Sequence, residues 1–160
     1  MSFFLVPVYR RIWAPKGTRP EGLFFWSNKK ISLFGALIDG KKLFHEWYDG
    51  LNSLTYKAFL SSFVEQLPKG KYVFLLDNAP YHKSSVITNY LNNLGEDIKV
   101  EFFPPYSPEL NPNETCWKII RNNVTNSVYF KTIEKLMEEV DEFLEKPFLI
   151  LMCSIIYVLN

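Results

Sequence analysis

The apolar run Val73-Phe74-Leu75-Leu76, entered at Tyr72 and stopped by Asp77, constrains this chain more than any other stretch. It reads as a short buried strand that delivers a carboxylate at its carboxyl end, the edge where an open α/β sheet presents its ligands. A second carboxylate is fixed farther along. Asn111 is a good N-cap, Pro112 suits the first helical position, and Glu114 then stands third, in the opening turn of a helix. Two acids held on rigid elements are what a divalent metal needs.

The remaining elements follow from periodicity and turn chemistry. Phe3 to Val8 is apolar and suits an opening strand or its continuation. Ile31, Leu33, Leu37 and Ile38 around Gly35 predict a strand over 30–38. Asp39-Gly40 signals a hairpin turn, and residues 41–48 alternate in part as a second strand. Asn52-Ser53 begins a helix whose Tyr56, Phe59, Leu60, Phe63, Val64 and Leu67 recur at helical spacing before Pro68-Lys69-Gly70 ends it. Beyond Asp77, Ser84 or Ser85 caps a helix running towards Leu94, with Gly95 as its stop. A strand over 98–103 and helices over about 112–126 and 132–144 complete the pattern.

Two motifs carry a resemblance. Leu75-Leu76-Asp77-Asn78-Ala79-Pro80-Tyr81-His82 and Pro104-Pro105-Tyr106-Ser107-Pro108-Glu109-Leu110-Asn111-Pro112-Asn113-Glu114 resemble the second and third acidic motifs of DDE transposases. The resemblance is to the branch of bacterial and archaeal insertion sequences related to mariner elements. The 36 residues between Asp77 and Glu114 agree with the spacing of that branch. Trp13-Ala14-Pro15-Lys16-Gly17 is similar to its tryptophan and glycine segment, so the likeness covers most of residues 3–145. It implies an α/β, ribonuclease-H-like fold, a mixed sheet of antiparallel meander plus parallel strands flanked by helices. One such domain is expected over 1–146, followed by an apolar tail over 147–160. About 13 apolar residues in that tail fall short of the roughly 20 that a spanning helix needs.

The resemblance also implies an activity: metal-dependent DNA cleavage and strand transfer in transposition, using Mg²⁺ or Mn²⁺, two ions in the intact family. Asp77 and Glu114 are its catalytic metal ligands, with Asn78, His82 and Asn111 beside them. Glu114 has a second reading, because a third-position Glu can reach back to the N-cap backbone as a capping box. His82 can meet a phosphate or carboxylate, or be a satisfied structural histidine. Trp117 is expected to pack its helix onto the sheet. DNA, as transposon ends and target, is the implied partner, together with a second copy or an intact transposase. Arg10, Arg11 and Lys16, and Lys118 and Arg121 one turn apart on the Glu114 helix, are the candidate phosphate contacts.

One acid of the three is not found. In the resembling family it closes the opening strand, a few residues before the segment aligning with Phe4 to Pro7, and this sequence has no Asp or Glu before Glu21. The expectation is a catalytic domain lacking its start and inactive in this form. The alternative is a non-catalytic DNA-binding or partner module that interferes with intact transposase. A net charge of +1 gives no global nucleic-acid footprint, so DNA contacts must come from local clusters. Neither a C-x-x-C nor an H-x-x-x-H pair occurs, which argues against zinc. Two cysteines without a secretory leader point to a reducing cytoplasm, and the resemblance implies a prokaryotic one.

Overall fold

The structure, a computed structural model, describes residues 1–5, 15–18, 27–39, 42–107 and 110–146. Strands β1 (Ser2–Phe4), β2 (Lys30–Ile38) and β3 (Lys42–Tyr48) form an antiparallel sheet in that order. Strands β4 (Tyr72–Leu76) and β5 (Ile98–Phe102) pair in parallel, with Leu76 opposite Phe102. Helix α1 (Ser53–Gln66) precedes β4, and α2 (Ser85–Asn92) connects β4 to β5. Helix α3 (Pro112–Ile120) runs directly into a π-helical turn, Arg121–Thr125, and α4 (Ile133–Leu144) follows. The opening strand is described only to Leu5, and the tail over 147–160 lies outside the described residues.

Each element starts where its sequence offers a partner for orphan amides. Asn52 Oδ1 accepts from Leu54 and Thr55, and Thr55 Oγ1 answers the Asn52 amide, so α1 opens on a complete capping box. Ser84, Asn111 and Thr132 each accept a backbone N–H and begin α2, α3 and α4. An additional 3-10 turn, Pro80–Lys83, precedes α2. Pro80 stands at its first position, where a fixed φ is an asset.

β2 is buried on both faces. Ile31, Leu33 and Leu37 join a core with Phe3, Trp117, Ile120, Leu136 and Val140, so α3 and α4 cover that side. Phe34, with Ala36 and Ile38, joins Tyr56, Phe59, Phe63, Phe74 and Ile87 on the side covered by α1 and α2. Asp141 fastens α4 to β3, accepting from Trp47 Nε1 at 2.9 Å and lying 3.1 Å from His45 Nε2. The central strand therefore reads as a nearly unbroken apolar run, as strands beneath two helix layers do.

Gly35 sets the height of α3 above the sheet. A Cβ at this position would stand 2.6 Å from Trp117 Cη2 and 3.3 Å from Leu43 Cδ1. Trp117 is 8% exposed, which makes it the packing residue the sequence suggests. Gly35→Ala is expected to lift the indole and α3 with it, lowering Tm by roughly 3–10 °C, as overpacking a core does. Thermal unfolding followed by circular dichroism checks this; an unchanged Tm would show that the indole moves aside freely.

Between the two sheets lies a cavity of about 310 Å³, lined by β2 from Leu33 to Ile38, by β4 and by the inner face of α1. β1 reaches only its rim, where the Met1 amino nitrogen donates to the Leu33 carbonyl at 2.7 Å and the Leu33 amide returns a bond of 2.8 Å. Among the described residues no ladder joins β2 to β4.

Candidate metal centre

Asp77 directly follows β4, and its position is fixed twice. Oδ1 accepts from the Ala79 amide at 2.9 Å, a local turn that caps the strand exit, and lies 2.8 Å from His82 Nδ1. A carboxylate can only accept, so the imidazole carries its proton on Nδ1, within 3.1 Å also of the Asp77 carbonyl. With Oδ1 taken by two donors, Oδ2 is left for a ligand. The hydrogen bond from His82, then that from Ala79, hold the carboxyl below the ordinary aspartate range despite partial burial.

The sign of that shift fixes a pH dependence. A depressed folded-state value contributes stability that is fully present above the unfolded aspartate value of about 3.9 and is lost as pH falls through the lower folded value. Asp77→Asn, which retains an acceptor for Ala79, is expected to flatten the acid limb of stability between about pH 5 and pH 2. Urea unfolding across that range checks it.

His82 is 8% exposed, its ring 4.2 Å from Tyr56 and 4.4 Å from Tyr81. Both readings of this histidine thus meet, since it is a satisfied core residue whose bond is to the Asp77 carboxylate. Asn78 does not face the cavity. It braces two strand exits, with Nδ2 donating to the Phe103 carbonyl at 2.7 Å and Oδ1 accepting from Lys83 Nζ at 2.6 Å.

Glu114 lies in the first turn of α3, and its capping-box alternative is not realised. Asn111 Oδ1 accepts from the Asn113 amide at 3.1 Å, while the Glu114 carboxylate makes no hydrogen bond or salt bridge among the described residues. Asp77, His82, Asn111, Asn113, Glu114 and Arg121 all line the one cavity. The Met1 amino group, pushed down to about 6 by burial, feels the charges of Glu114, Arg121 and Asp77 together. The two sequence-predicted acids therefore line the same cavity.

Of the candidate cations, Arg121 joins the cavity, whereas Lys118 is exposed on α3 outside it and Lys16 is exposed on the 15–18 turn. Arg10 and Arg11 lie outside the described residues. The sequence reading missed Asn113 and Tyr56. Asn113 Nδ2 donates to the Gly35 carbonyl at 3.3 Å, while its Oδ1 is buried without a partner. Nothing in the sequence marks it beyond its place before Glu114. Tyr56 looks like any apolar position of α1.

Two carboxylates and an unsatisfied amide oxygen lining one cavity are an all-oxygen set of the kind that suits a hard divalent cation, which keeps several waters. Among the described residues no three acidic, histidine or cysteine side chains gather as a metal cluster. No helix there is long and apolar enough to cross a membrane.

In place of the single mixed sheet expected from the sequence, the described residues form an antiparallel and a parallel sheet flanked by helices, with one acid at a strand's carboxyl end and another opening a covering helix, an arrangement of the ribonuclease-H-like class. Solved structures agree on the fold. The chain superposes on Mos1 transposase in its paired-end complex with the left transposon end at a TM-score of 0.74 and 21% identity, covering 96% of this chain and 49% of that one. On the catalytic domain of Mos1 mariner transposase the TM-score is 0.66 at 21% identity, covering 83% and 72%. That domain has also been solved with Mn and with Mg. The chain belongs to the DDE superfamily endonucleases, whose family model matches residues 1–137. It is also 32% identical over 65 residues to the uncharacterized protein y4pE/y4sA of Sinorhizobium fredii (strain NBRC 101917 / NGR234), covering 41% of this chain and 44% of that protein. The chain thus spans less than half of that relative and about half of the Mos1 chain.

Proposed function

We propose that this chain is the catalytic domain of a DNA transposase, that Asp77 and Glu114 are its metal ligands, and that with two acids it binds DNA without cleaving it. The observation that supports the reading is that both carboxylates line one cavity. Family membership and the metal-bound structures of the Mos1 domain support a divalent ion, and the paired-end complex supports DNA ends as substrate. A bound Mg²⁺ or Mn²⁺ would supply an activated water or 3′ hydroxyl and charge stabilisation at the leaving oxygen.

The chain's own residues do the positioning. His82 and the Ala79 amide clamp Asp77 Oδ1 so that Oδ2 faces outward, and Trp117 seats α3 so that Glu114 stays within reach. Arg121 offers a guanidinium to a phosphate entering the cavity, and Lys118 and Lys16 meet the backbone farther out. The expected behaviour is DNA binding whose affinity falls linearly with salt on logarithmic axes, with no Mn²⁺-dependent nicking of transposon-end DNA. Salt-titrated anisotropy and a nicking gel test this. Nicking by the unaltered chain would refute the inactive state, and salt-independent or absent DNA binding would refute the assignment itself.

A further inference from the structure

The connection from β5 to α3 leaves the sheet at the same end as Asp77. Phe103 N–H donates to the Leu76 carbonyl at 2.9 Å, and Asn78 Nδ2 holds the Phe103 carbonyl. Along this connection Phe102, Tyr106 and Leu110 recur every fourth residue, 41%, 101% and 50% exposed. A tyrosine with its whole ring in water contributes nothing to the core. Its backbone is the second anomaly, because Tyr106 has φ +58°, in the left-handed region that L side chains avoid. Glycine would serve the turn better, and asparagine or aspartate would be the usual substitutes. The chain instead sets a large aromatic here, directly after Pro104-Pro105.

A cation lies over the Phe102 ring. Lys83 Nζ lies 5.0 Å from the Phe102 ring centroid and 2.6 Å from Asn78 Oδ1, one residue from the Asp77 carboxylate. Exposed ring faces beside an ammonium are the chemistry that holds single-stranded nucleic acid, in which bases stack on the rings and phosphates meet the cation. Bases inside a duplex are already stacked and cannot use it. We propose that Tyr106, with Phe102 and Lys83, forms a subsite for unpaired nucleotides adjoining the proposed metal centre of Asp77 and Glu114. The inference rests on the DNA-binding transposase-domain reading and adds that the bound strand is frayed there.

The test is anisotropy with the full chain, comparing a labelled single strand of about 12 nucleotides with its duplex. Tyr106→Ala is expected to weaken single-strand binding about tenfold while changing duplex binding less than about twofold, and Tyr106→Phe to match the unaltered chain. Tyr106→Gly, which relieves the left-handed backbone, is expected to keep or raise Tm and still lose single-strand binding. Lys83→Gln is expected to weaken single-strand binding and lower its salt slope by about 0.7. Equal single-strand affinity in Tyr106→Ala and the unaltered chain, or equal losses on both DNAs, would overturn the proposal. So would a change of mass in light scattering with DNA affinity unchanged, which would make this a protein contact. Asp77→Asn separates the two readings: it keeps single-strand binding if the subsite is correct, whether or not it loses the metal.

Discussion

Glu114→Gln is expected to lower Mn²⁺ affinity by at least about 100-fold, the upper range for loss of even an outer-shell partner of a metal site, while changing stability by less than about 1 kcal/mol. The argument is one of separation. Glutamine keeps the length and polarity of the side chain, and Glu114 makes no capping bond that the change could break. Its remaining contribution to folding is the interaction of an exposed negative charge with the helix N-terminus. Its part in holding a cation depends wholly on that charge. Isothermal titration with Mn²⁺ and thermal unfolding of the same samples measure both quantities. Loss of stability with metal affinity retained would make Glu114 a helix-start residue and nothing more.

Placing Asp-Glu directly before Met1 is expected to tighten Mn²⁺ binding by at least about tenfold and to raise nicking of transposon-end DNA above that of the unextended chain. The strand register supplies the reason. Ser2 pairs with Ser32 and Met1 with Leu33, so an extension continues antiparallel along β2 over the open cavity. Side chains alternate across a strand. An aspartate two positions before Met1 therefore falls on the face of Met1 and Phe3, the face that α3 covers, while the glutamate falls on the opposite face. Reversing the order to Glu-Asp puts the shorter acid on the wrong face and is expected to gain far less. Equal gains from both orders would mean that added charge, and not a placed ligand, is responsible.

Both acids were legible in the sequence because each is delivered by a strong local signal: an apolar run cut short by Asp77, and an Asn-Pro helix start that fixes the phase of Glu114. The bounds of β2 were legible for a similar reason, since Asp39 and the polar residues before Lys30 break the run on either side. His82 was legible as a residue but not in its role, because its bond reaches back to Asp77 through a 3-10 turn. Asn113 and Tyr56 carry no signal at all. One is a polar residue whose orphaned oxygen exists only once α3 is seated on β2, and the other sits on an apolar stripe until a folded chain sets it against His82. The cavity itself was invisible, being a gap between strands that are far apart in the chain. The left-handed backbone of Tyr106 was hidden because its neighbouring prolines signal a loop without fixing its φ.

The most direct measurement is anomalous diffraction from crystals of the protein soaked in Mn²⁺. The account predicts a peak within about 2.0–2.2 Å of one oxygen from each of Asp77 and Glu114, with the Asp77 contact made through Oδ2 and His82 still bound to Oδ1. A peak touching only one of the two carboxylates, or none at a Mn²⁺ concentration that saturates the protein in solution, would contradict it.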